Sequence, residues 1–181
     1  MKHRAMLTVC CFLAAWPTLH SAAAEESQAA LYTDRANLFQ YQLPVGWVAH
    51  HQVVDADSVV TFSNPEYSQL MLHLSITETK RVSPRSNRRE LVEVARSVLM
   101  EIRPDGQLGD WKEVVGFPMA GLWVDIFGED NTQIERITIL IDPPRRRAFV
   151  LSAVGPEELL KTHAADLEEV ARGLIPTVAQ G

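Results

Sequence analysis

The sequence has only two cysteines among its 181 residues, Cys10 and Cys11, and both lie in an apolar run near the start of the chain. That run, residues 5–16, is shorter than the ~20 apolar residues needed to span a bilayer. Beyond it, the chain can form no disulfide, no thiolate nucleophile and no thiolate metal site. A domain of this length buries enough surface to fold without disulfides.

The sequence also lacks the short motifs that carry common enzymatic chemistries. There is no Gly-x-Ser-x-Gly elbow, no His-Glu-x-x-His pair, no phosphate-binding glycine loop and no dinucleotide fingerprint. Catalytic groups that meet only in the folded protein leave no such motif, so a hydrolase is kept as a third candidate. The first interpretation is a non-enzymatic binding protein without a cofactor. The second is a small-molecule or metal-binding protein.

Basic side chains are fewer than acidic ones. The chain has 17 Lys and Arg against 23 Asp and Glu, a net charge of −6. Without residues 1–24, which contain Lys2 and Arg4 and no acidic residue, the counts are 15 and 23 and the net charge is about −8. Nucleic acids and anionic membranes select for basic surfaces. We therefore expect neither as the main partner.

Residues 1–24 have the three parts of a secretory signal peptide. Residues 2–4 are Lys-His-Arg, residues 5–16 form the apolar run, and residues 22–24 are three alanines that suit a cleavage site. We therefore expect a periplasmic or secreted protein that is cleaved near Ala24 and then has no transmembrane segment.

The predicted organisation after the signal peptide is simple. A flexible N-terminal segment is predicted over residues 25–36, because this stretch is polar, rich in alanine and without a period. One domain is predicted over residues 37–176, followed by a tail over residues 177–181.

Strand patterns dominate this domain. Residues 122–154 contain three segments rich in β-branched and aromatic residues, separated by turn residues. These segments are apolar on both faces, which predicts a central three-stranded antiparallel meander that is covered on both sides. Residues 70–77 alternate apolar and polar residues, which predicts a half-exposed strand nearer the sheet edge than the meander. Further strands are predicted over residues 37–43, 47–54, 58–63 and 111–115.

Two segments have the helical period. Residues 88–102 carry an apolar stripe, with Ser86 or Asn87 as the N-cap. A second helix is predicted from Pro156 to Pro176, with His163 and Leu174 on its buried stripe. One helix on each face of a largely antiparallel sheet of about six to eight strands makes an α+β fold, an α/β/α sandwich.

Several stretches resemble PsbP-like domains. Residues 39–47, Phe-Gln-Tyr-Gln-Leu-Pro-Val-Gly-Trp, resemble the aromatic strand, the Leu-Pro-x-Gly-Trp turn and the return strand that open these domains. Residues 120–124 and 148–153 resemble later strands, and residues 155–158 resemble the start of the closing helix. The sequence looks closest to the small bacterial periplasmic proteins of this group, the DcrB-like ones.

The resemblance implies an α/β/α sandwich around an antiparallel sheet over most of residues 37–175. Proteins of this group include an extrinsic photosystem II subunit, a Ran-binding import factor and envelope proteins. The resemblance therefore implies an adaptor or binding role and supplies no catalytic residue. The chain has no cyanobacterial or plastid signature, so a photosystem role is not implied. An envelope protein or complex is the expected partner.

Two basic clusters are the candidate partner-binding residues. Planar guanidinium groups suit carboxylate or phosphate partners. The simpler interpretation is that these loops are solvated and that arginines at a hairpin tip keep a sheet edge soluble. The first cluster is Lys80, Arg81, Arg85, Arg88 and Arg89, and the second is Arg145, Arg146 and Arg147.

The best candidate for a metal site is His50 and His51 with Asp55 and Asp57, since imidazole and carboxylate suit zinc or manganese. However, adjacent side chains on a regular strand point to opposite faces, so the two histidines cannot bind one ion from such a strand. Surface polar residues are the favoured interpretation, and no metal ligand is predicted.

Asp125 lies in an otherwise apolar strand. A buried carboxylate would have a raised pKa and could act in acid–base chemistry. The alternatives are that it faces solvent or pairs with Arg136 across the hairpin. Trp47, Trp111 and Trp123 are expected to pack in the core and turns, with a ligand cleft lined by Trp47 and Trp111 as the alternative.

Overall fold

The computed structural model describes residues 31–34, 38–54, 57–104, 107–114 and 119–177. The predicted signal peptide lies outside this part of the chain. The strands are β1 (Leu31–Thr33), β2 (Phe39–Gln42), β3 (Val48–Val54), β4 (Asp57–Ser63), β5 (Met71–Glu78), β6 (Gln107–Leu108), β7 (Lys112–Val114), β8 (Ala120–Phe127), β9 (Gln133–Asp142), β10 (Arg147–Val154) and β11 (Leu174–Pro176). The helices are α1 (Arg88–Ile102), α2 (Glu157–Thr162) and α3 (Ala164–Arg172), with a 3₁₀ turn over Pro65–Tyr67.

An eight-stranded antiparallel sheet is the centre of the fold. Its strand order is β3-β4-β5-β10-β9-β8-β6, and β7 pairs with β8 beside β6. The hairpins β8–β9 and β9–β10 form the predicted meander, which confirms that prediction. The meander continues into β5, which pairs with β10 along its whole length.

The position of β5 differs from the prediction. It lies between β4 and β10, so the expectation that it would be nearer the sheet edge than the meander is wrong. Its alternation is as predicted: Leu72 and Leu74 are buried, whereas His73 is partly exposed and Met71 is 41% exposed. One face of β5 is open because α1 makes its main contacts with β8 and β9, further along the sheet.

Each face of the sheet carries its own hydrophobic layer. On one face, Leu91, Ala95 and Leu99 of α1 pack against β8, β9 and the start of β10. On the other face, α2, α3 and a small second sheet cover an aromatic core. That core includes Phe39, Tyr41, Phe62, Phe149, Leu160, Leu167 and Val170. The predicted α+β fold, with helices on both faces of a largely antiparallel sheet, is confirmed.

Helix α1 has the bounds that its period predicts, and Asn87 is its N-cap. The Asn87 side chain accepts a hydrogen bond from Glu90 N at 3.1 Å, and Asn87 N donates to Glu90 Oε2 at 3.1 Å. This capping box satisfies two backbone groups that a helix start leaves without partners. No helix in the described residues is long and apolar enough to cross a membrane.

The second sheet has the order β1-β2-β11 and was not predicted. Leu31–Thr33 lie in the segment expected to be flexible, yet they form β1, where Tyr32 pairs with Tyr41. At the other end of the chain, Leu174 pairs with Tyr41 from the opposite side and belongs to β11, not to the last helix. Ile175 and Pro176 favour this extended backbone, because β-branched residues and proline are poor helix formers.

The closing helix is also divided. The predicted single helix breaks at His163 into α2 and α3. The His163 ring packs on Tyr67, with centroids 4.0 Å apart, and its Nδ1 lies 2.9 Å from Asp166 Oδ2. The His163 side chain is 11% exposed, close to the buried position that the sequence predicts.

Candidate partner-binding site

The two basic clusters meet at one end of the sheet. Arg147 at the start of β10 pairs with Glu78 at the end of β5. Next to this pair, Thr79 N donates a hydrogen bond to Arg146 O at 2.8 Å. Because β5 ends beside the β9–β10 hairpin, Lys80 and Arg81 follow directly alongside the hairpin arginines.

Helix α1 begins at the far side of the same end, beside β7, which is separated from β5 by β10, β9 and β8. The Arg88 guanidinium lies 2.7 Å from Glu113 Oε2 on β7. Strand β7 pairs with the first half of β8, whose first residue, Ala120, pairs with Ile141 near the end of β9. The loop from β5 to α1 therefore spans this end and carries Arg85. We call the eight predicted residues the basic end: Lys80, Arg81, Arg85, Arg88, Arg89, Arg145, Arg146 and Arg147.

The hairpin tip places Arg146 in an unusual backbone conformation. Its φ is +52°, in the left-handed region that glycine and asparagine adopt more readily. Arg146 N donates to Pro143 O at 3.2 Å, which closes the turn. Next to it, Arg145 Nη1 donates to the buried carboxylate of Asp142 at 2.8 Å. Arg145 therefore holds the turn, whereas Arg146 is exposed at its tip.

Three basic-end residues have carboxylate partners. They are Arg81 with Glu101, at 3.4 Å between two largely exposed side chains, Arg88 with Glu113, and Arg145 with Asp142. An ion pair between two exposed side chains, such as Arg81 with Glu101, contributes little to stability. Within the described residues, no carboxylate lies within salt-bridge distance of Lys80, Arg85, Arg89, Arg146 or Arg147.

The predicted metal candidates do not come together. His50 pairs with Thr61 and His51 with Val60, so the two imidazoles belong to opposite faces of β3. Asp55 lies outside the described residues, as does the side chain of Asp57. No group of three or more His, Cys, Asp or Glu side chains suited to a metal ion occurs in the described part of the chain.

Asp125 forms the predicted pair with Arg136. Arg136 Nε and Nη2 donate to the two carboxylate oxygens at 2.7 and 3.0 Å, and Gln133 Nε2 donates at 2.5 Å. The Arg136 guanidinium also lies 4.3 Å from the ring centroid of Trp123, and Lys112 Nζ lies 4.8 Å from it. Asp125 thus holds the Arg136 guanidinium against the Trp123 ring.

A cleft of about 200 Å³ lies beside this group, between the sheet and α3. It is lined by Trp123, Thr138, Leu167, Ala171, Val114 and the charged residues Glu113, Arg136, Glu168 and Arg172. The charges are paired: Arg136 with Asp125, Arg172 with Glu168, and Glu113 with Arg88. A charge-balanced cleft offers a ligand no strong ionic anchor.

The other tryptophans do not form the alternative ligand cleft. Trp47 is buried in the core, as predicted, whereas Trp111 is 41% exposed before β7. The cavity beside Trp47 is lined by residues 44–47 and 64–67 together with Asp166 and Glu169, and Trp111 is not part of it.

A second polar cluster was not foreseen. Glu135 is buried on the face of the sheet that carries α1. Arg103, which follows α1, donates to its two carboxylate oxygens at 3.0 and 2.8 Å, and the Ser152 hydroxyl also donates to it. The three residues are far apart in sequence, and only the alternation of β9 and β10 hinted that Glu135 and Ser152 share a face.

We expect Arg103→Ala to lower the free energy of unfolding by about 1–2 kcal/mol. Removing one partner of a buried ion pair leaves a buried charge, which costs ~3–5 kcal/mol when both groups are buried. The Arg103 side chain is 42% exposed, so water reduces the effect. Urea unfolding measures it, with Arg96→Ala on the exposed side of α1 as the control. Equal midpoints for the two variants would contradict the expectation.

A solved structure has a similar fold. No family model matches the sequence, and no curated protein sequence matches it. The solution structure of cyanobacterial PsbP (CyanoP) from Synechocystis sp. PCC 6803 is similar, with a TM-score of 0.59 at 13% identity, covering 89% of this chain and 99% of that chain. A crystal structure from Bacteroides thetaiotaomicron matches with a TM-score of 0.49 at 13% identity, covering 85% of this chain and 50% of that chain. The chain therefore has the PsbP-like fold that its sequence resemblance predicts.

Proposed function

We propose that this chain is an exported, non-enzymatic binding domain of the cell envelope whose basic end binds an acidic protein partner. The observation that carries the proposal is that two clusters, more than 50 residues apart in the sequence, meet at one end of the sheet in a protein of net negative charge. Export is supported by the sequence of residues 1–24 alone.

Three arginines of the basic end occupy positions that are unfavourable for the stability of the fold. Arg88 and Arg89 occupy the first turn of α1, where the helix dipole favours negative charge and disfavours positive charge. Arg146 occupies a left-handed backbone position at an exposed tip. Conformations and charges that reduce stability are retained most often at functional sites. A role in binding explains both placements.

The charge pattern suits recognition of carboxylates. Lys80, Arg85, Arg89, Arg146 and Arg147 face solvent at least in part and have no carboxylate partner within the described residues. Arginine can bind a carboxylate through two parallel hydrogen bonds. A local positive surface on an acidic protein also accelerates encounter with an acidic partner and disfavours basic ones.

The main alternative, a small-molecule or metal-binding protein, has less support. The cleft of about 200 Å³ between the sheet and α3 is small, and its charged residues are paired. The two histidines of the metal candidate belong to opposite faces of β3. The likeness to CyanoP extends to the fold alone.

Charge reversal at the basic end tests the proposal. We expect Arg85→Glu with Arg146→Glu to weaken binding to immobilised poly-L-glutamate at least tenfold at low ionic strength. The wild-type interaction should weaken as salt rises, because salt screens exposed charges over about 10 Å at 0.1 M. Biolayer interferometry between 20 and 300 mM salt measures both effects.

The matched control is Lys161→Glu with Arg172→Glu, which changes the net charge equally on the helices that cover the opposite face of the sheet. We expect less than a twofold loss for this control. If both double variants lost binding to the same extent, net charge and not the basic end would be responsible, and the proposal would fail.

A further inference from the structure

Helix α1 covers only one half of its face of the sheet. Its main contacts are with β8 and β9. Beside it runs a groove of about 540 Å³, which we call the α1 groove. Its apolar lining includes Val59, Val150 and Val154 on the sheet and Ile102 on α1. Its polar lining includes His73 and Ser75 and, at one side, the Arg103–Glu135 pair with Ser152.

The strand register shows how wide the open face is. His50, Thr61, His73 and Ser152 are successive cross-strand partners on β3, β4, β5 and β10. Four strands span about 14 Å at ~4.8 Å between neighbours. An α-helix with its side chains is ~10–12 Å across. The open face therefore has room for one helix alongside α1.

The open face is partly apolar. Met71 and Val48 are 41% and 45% exposed. Both belong to one cross-strand row, which runs from Val48 through Ser63 and Met71 to Val154. Hydroxyl-bearing side chains lie between the apolar ones. A wide, shallow, mixed surface fits a folded chain segment better than a small ligand, which needs an enclosed pocket.

The groove opens onto the basic end. Strand β5 runs along it from Met71 to Thr77, and Lys80 and Arg81 follow. A smaller cavity of about 120 Å³ lies along the side of α1. Its lining includes Lys80 and Arg81 and two carboxylates, Glu78 and Glu101, of which Glu101 pairs with Arg81. The partly apolar floor of the groove thus ends at the basic end, where Lys80, Arg146 and Arg147 have no carboxylate partner within the described residues. This arrangement selects a partner with an apolar face and negative charge at one end.

We infer that the α1 groove binds an amphipathic helix of the partner protein, with the acidic residues of that helix at the end that meets the basic end. Helices bind apolar grooves through residues spaced at i, i+3, i+4 and i+7. The inference rests on the proposed function, because it takes the basic end as the surface that binds an acidic protein. To that function the inference adds that the binding segment of the partner is helical and that its apolar residues recur at helical spacing.

Photo-cross-linking in the intact envelope tests the inference. p-Benzoylphenylalanine replaces Ser75 in the groove, Lys80 at the basic end or, as a control, Ala165, which is exposed on α3. We expect the probes at 75 and 80 to label one protein and the probe at 165 to label none. Mass spectrometry should place the adduct of probe 75 on a segment with apolar residues at helical spacing and with Asp or Glu towards the adduct of probe 80.

Two substitutions locate the interaction. Met71→Asp puts a charge on the open face and should lower the adduct yield of probe 75 at least tenfold. Val45→Asp puts the same charge on a residue that is 60% exposed in a turn elsewhere, and should leave the yield within twofold of the parent. Both residues lie on the surface, so we expect both variants to keep the parent melting temperature.

Other outcomes separate the two proposals. The groove inference would be overturned, and the basic-end proposal left intact, if probe 75 labelled a lipid, a second copy or its own chain. The same conclusion would follow if probe 75 labelled nothing while probe 80 labelled a protein. Failure of both probes to label a protein, together with loss of poly-L-glutamate binding specificity, would overturn both.

Discussion

Gly121→Ala is expected to lower the free energy of unfolding by at least about 3 kcal/mol, at the upper end of the range for overpacked sites. Gly121 lies in β8 opposite Leu140 of β9. A Cβ atom at this position would lie 1.8 Å from the backbone oxygen of Ile139 and 2.8 Å from its carbonyl carbon. A backbone carbonyl cannot rotate away as a side chain can. The alanine methyl group would therefore push β8 from β9 within the central meander.

Urea unfolding followed by tryptophan fluorescence measures this effect. Gly128→Ala, just after β8, is the control, because its Cβ would come no closer than 3.4 Å to another heavy atom, the side-chain Oδ1 of Asp130. We expect the control to stay within about 1 kcal/mol of the wild type, as ordinary surface substitutions do. Wild-type stability for Gly121→Ala would show that β8 and β9 do not approach as closely as described.

The elements with strong periodicity could be predicted from the sequence. Helix α1 has the bounds of its apolar stripe. The three segments of the predicted meander, residues 122–127, 134–141 and 148–154, begin and end within two residues of β8, β9 and β10. These elements are formed by local patterns: a side chain every three or four residues for α1, and β-branched segments between turn residues for the strands. Local patterns also predicted that both faces of the meander are covered.

The order of strands could not be predicted in the same way. Alternation in β5 indicates that one of its faces is exposed, which is typical of a strand near the edge. The exposure has another cause, the position of α1 over β8 and β9. Which strand pairs with β10 depends on contacts between residues more than 70 positions apart, such as Leu74 with Leu151. No local pattern contains that information.

The short strands β1 and β11 were missed for a related reason. Each has three residues, which is too few to show a period. They form because both edges of β2 are available, where Tyr41 pairs with Tyr32 on one side and with Leu174 on the other. The domain start predicted at residue 37 would leave β1 outside the sheet to which it belongs.

For the candidate site, the sequence predicts which residues take part, but it does not predict that the two basic clusters lie close together. The two arginine-rich segments are visible in the sequence, but their proximity follows from the pairing of β5 with β10. Likewise, the register confirms the Asp125–Arg136 pair because both residues lie in one hairpin, whereas Arg103 reaches Glu135 across 32 residues. Sequence reasoning succeeded for contacts within a hairpin and failed for contacts between distant elements.

Tyr41 should make the stability of the fold fall steeply above pH 10. Its ring is fully buried, 4.6 Å from that of Phe62, and within the described residues its hydroxyl has no hydrogen-bond partner. Burial raises the pKa of the Tyr41 phenol far above its ordinary value of about 10, and the negative charge of Glu169 raises this pKa further. Above pH 10 the unfolded chain therefore loses a proton that the folded protein keeps. Stability is complete below pH 10 and falls by about 1.4 kcal/mol per pH unit above it.

Tyr41→Phe isolates this effect, because the other titrating groups contribute equally to both proteins. At pH 7 we expect the variant to equal or exceed the wild type by about 1 kcal/mol, since a buried hydroxyl without a partner is unfavourable. From pH 10 to 12 its advantage should grow by about 2.3 kcal/mol, because the unfolded phenol is already half ionised at pH 10. Urea unfolding at pH 7, 9, 10, 11 and 12 measures the difference between the two proteins. A constant difference would mean that the Tyr41 hydroxyl reaches solvent or a partner in the folded protein, and thus that the small sheet does not close over the aromatic core as the β1-β2-β11 pairing requires.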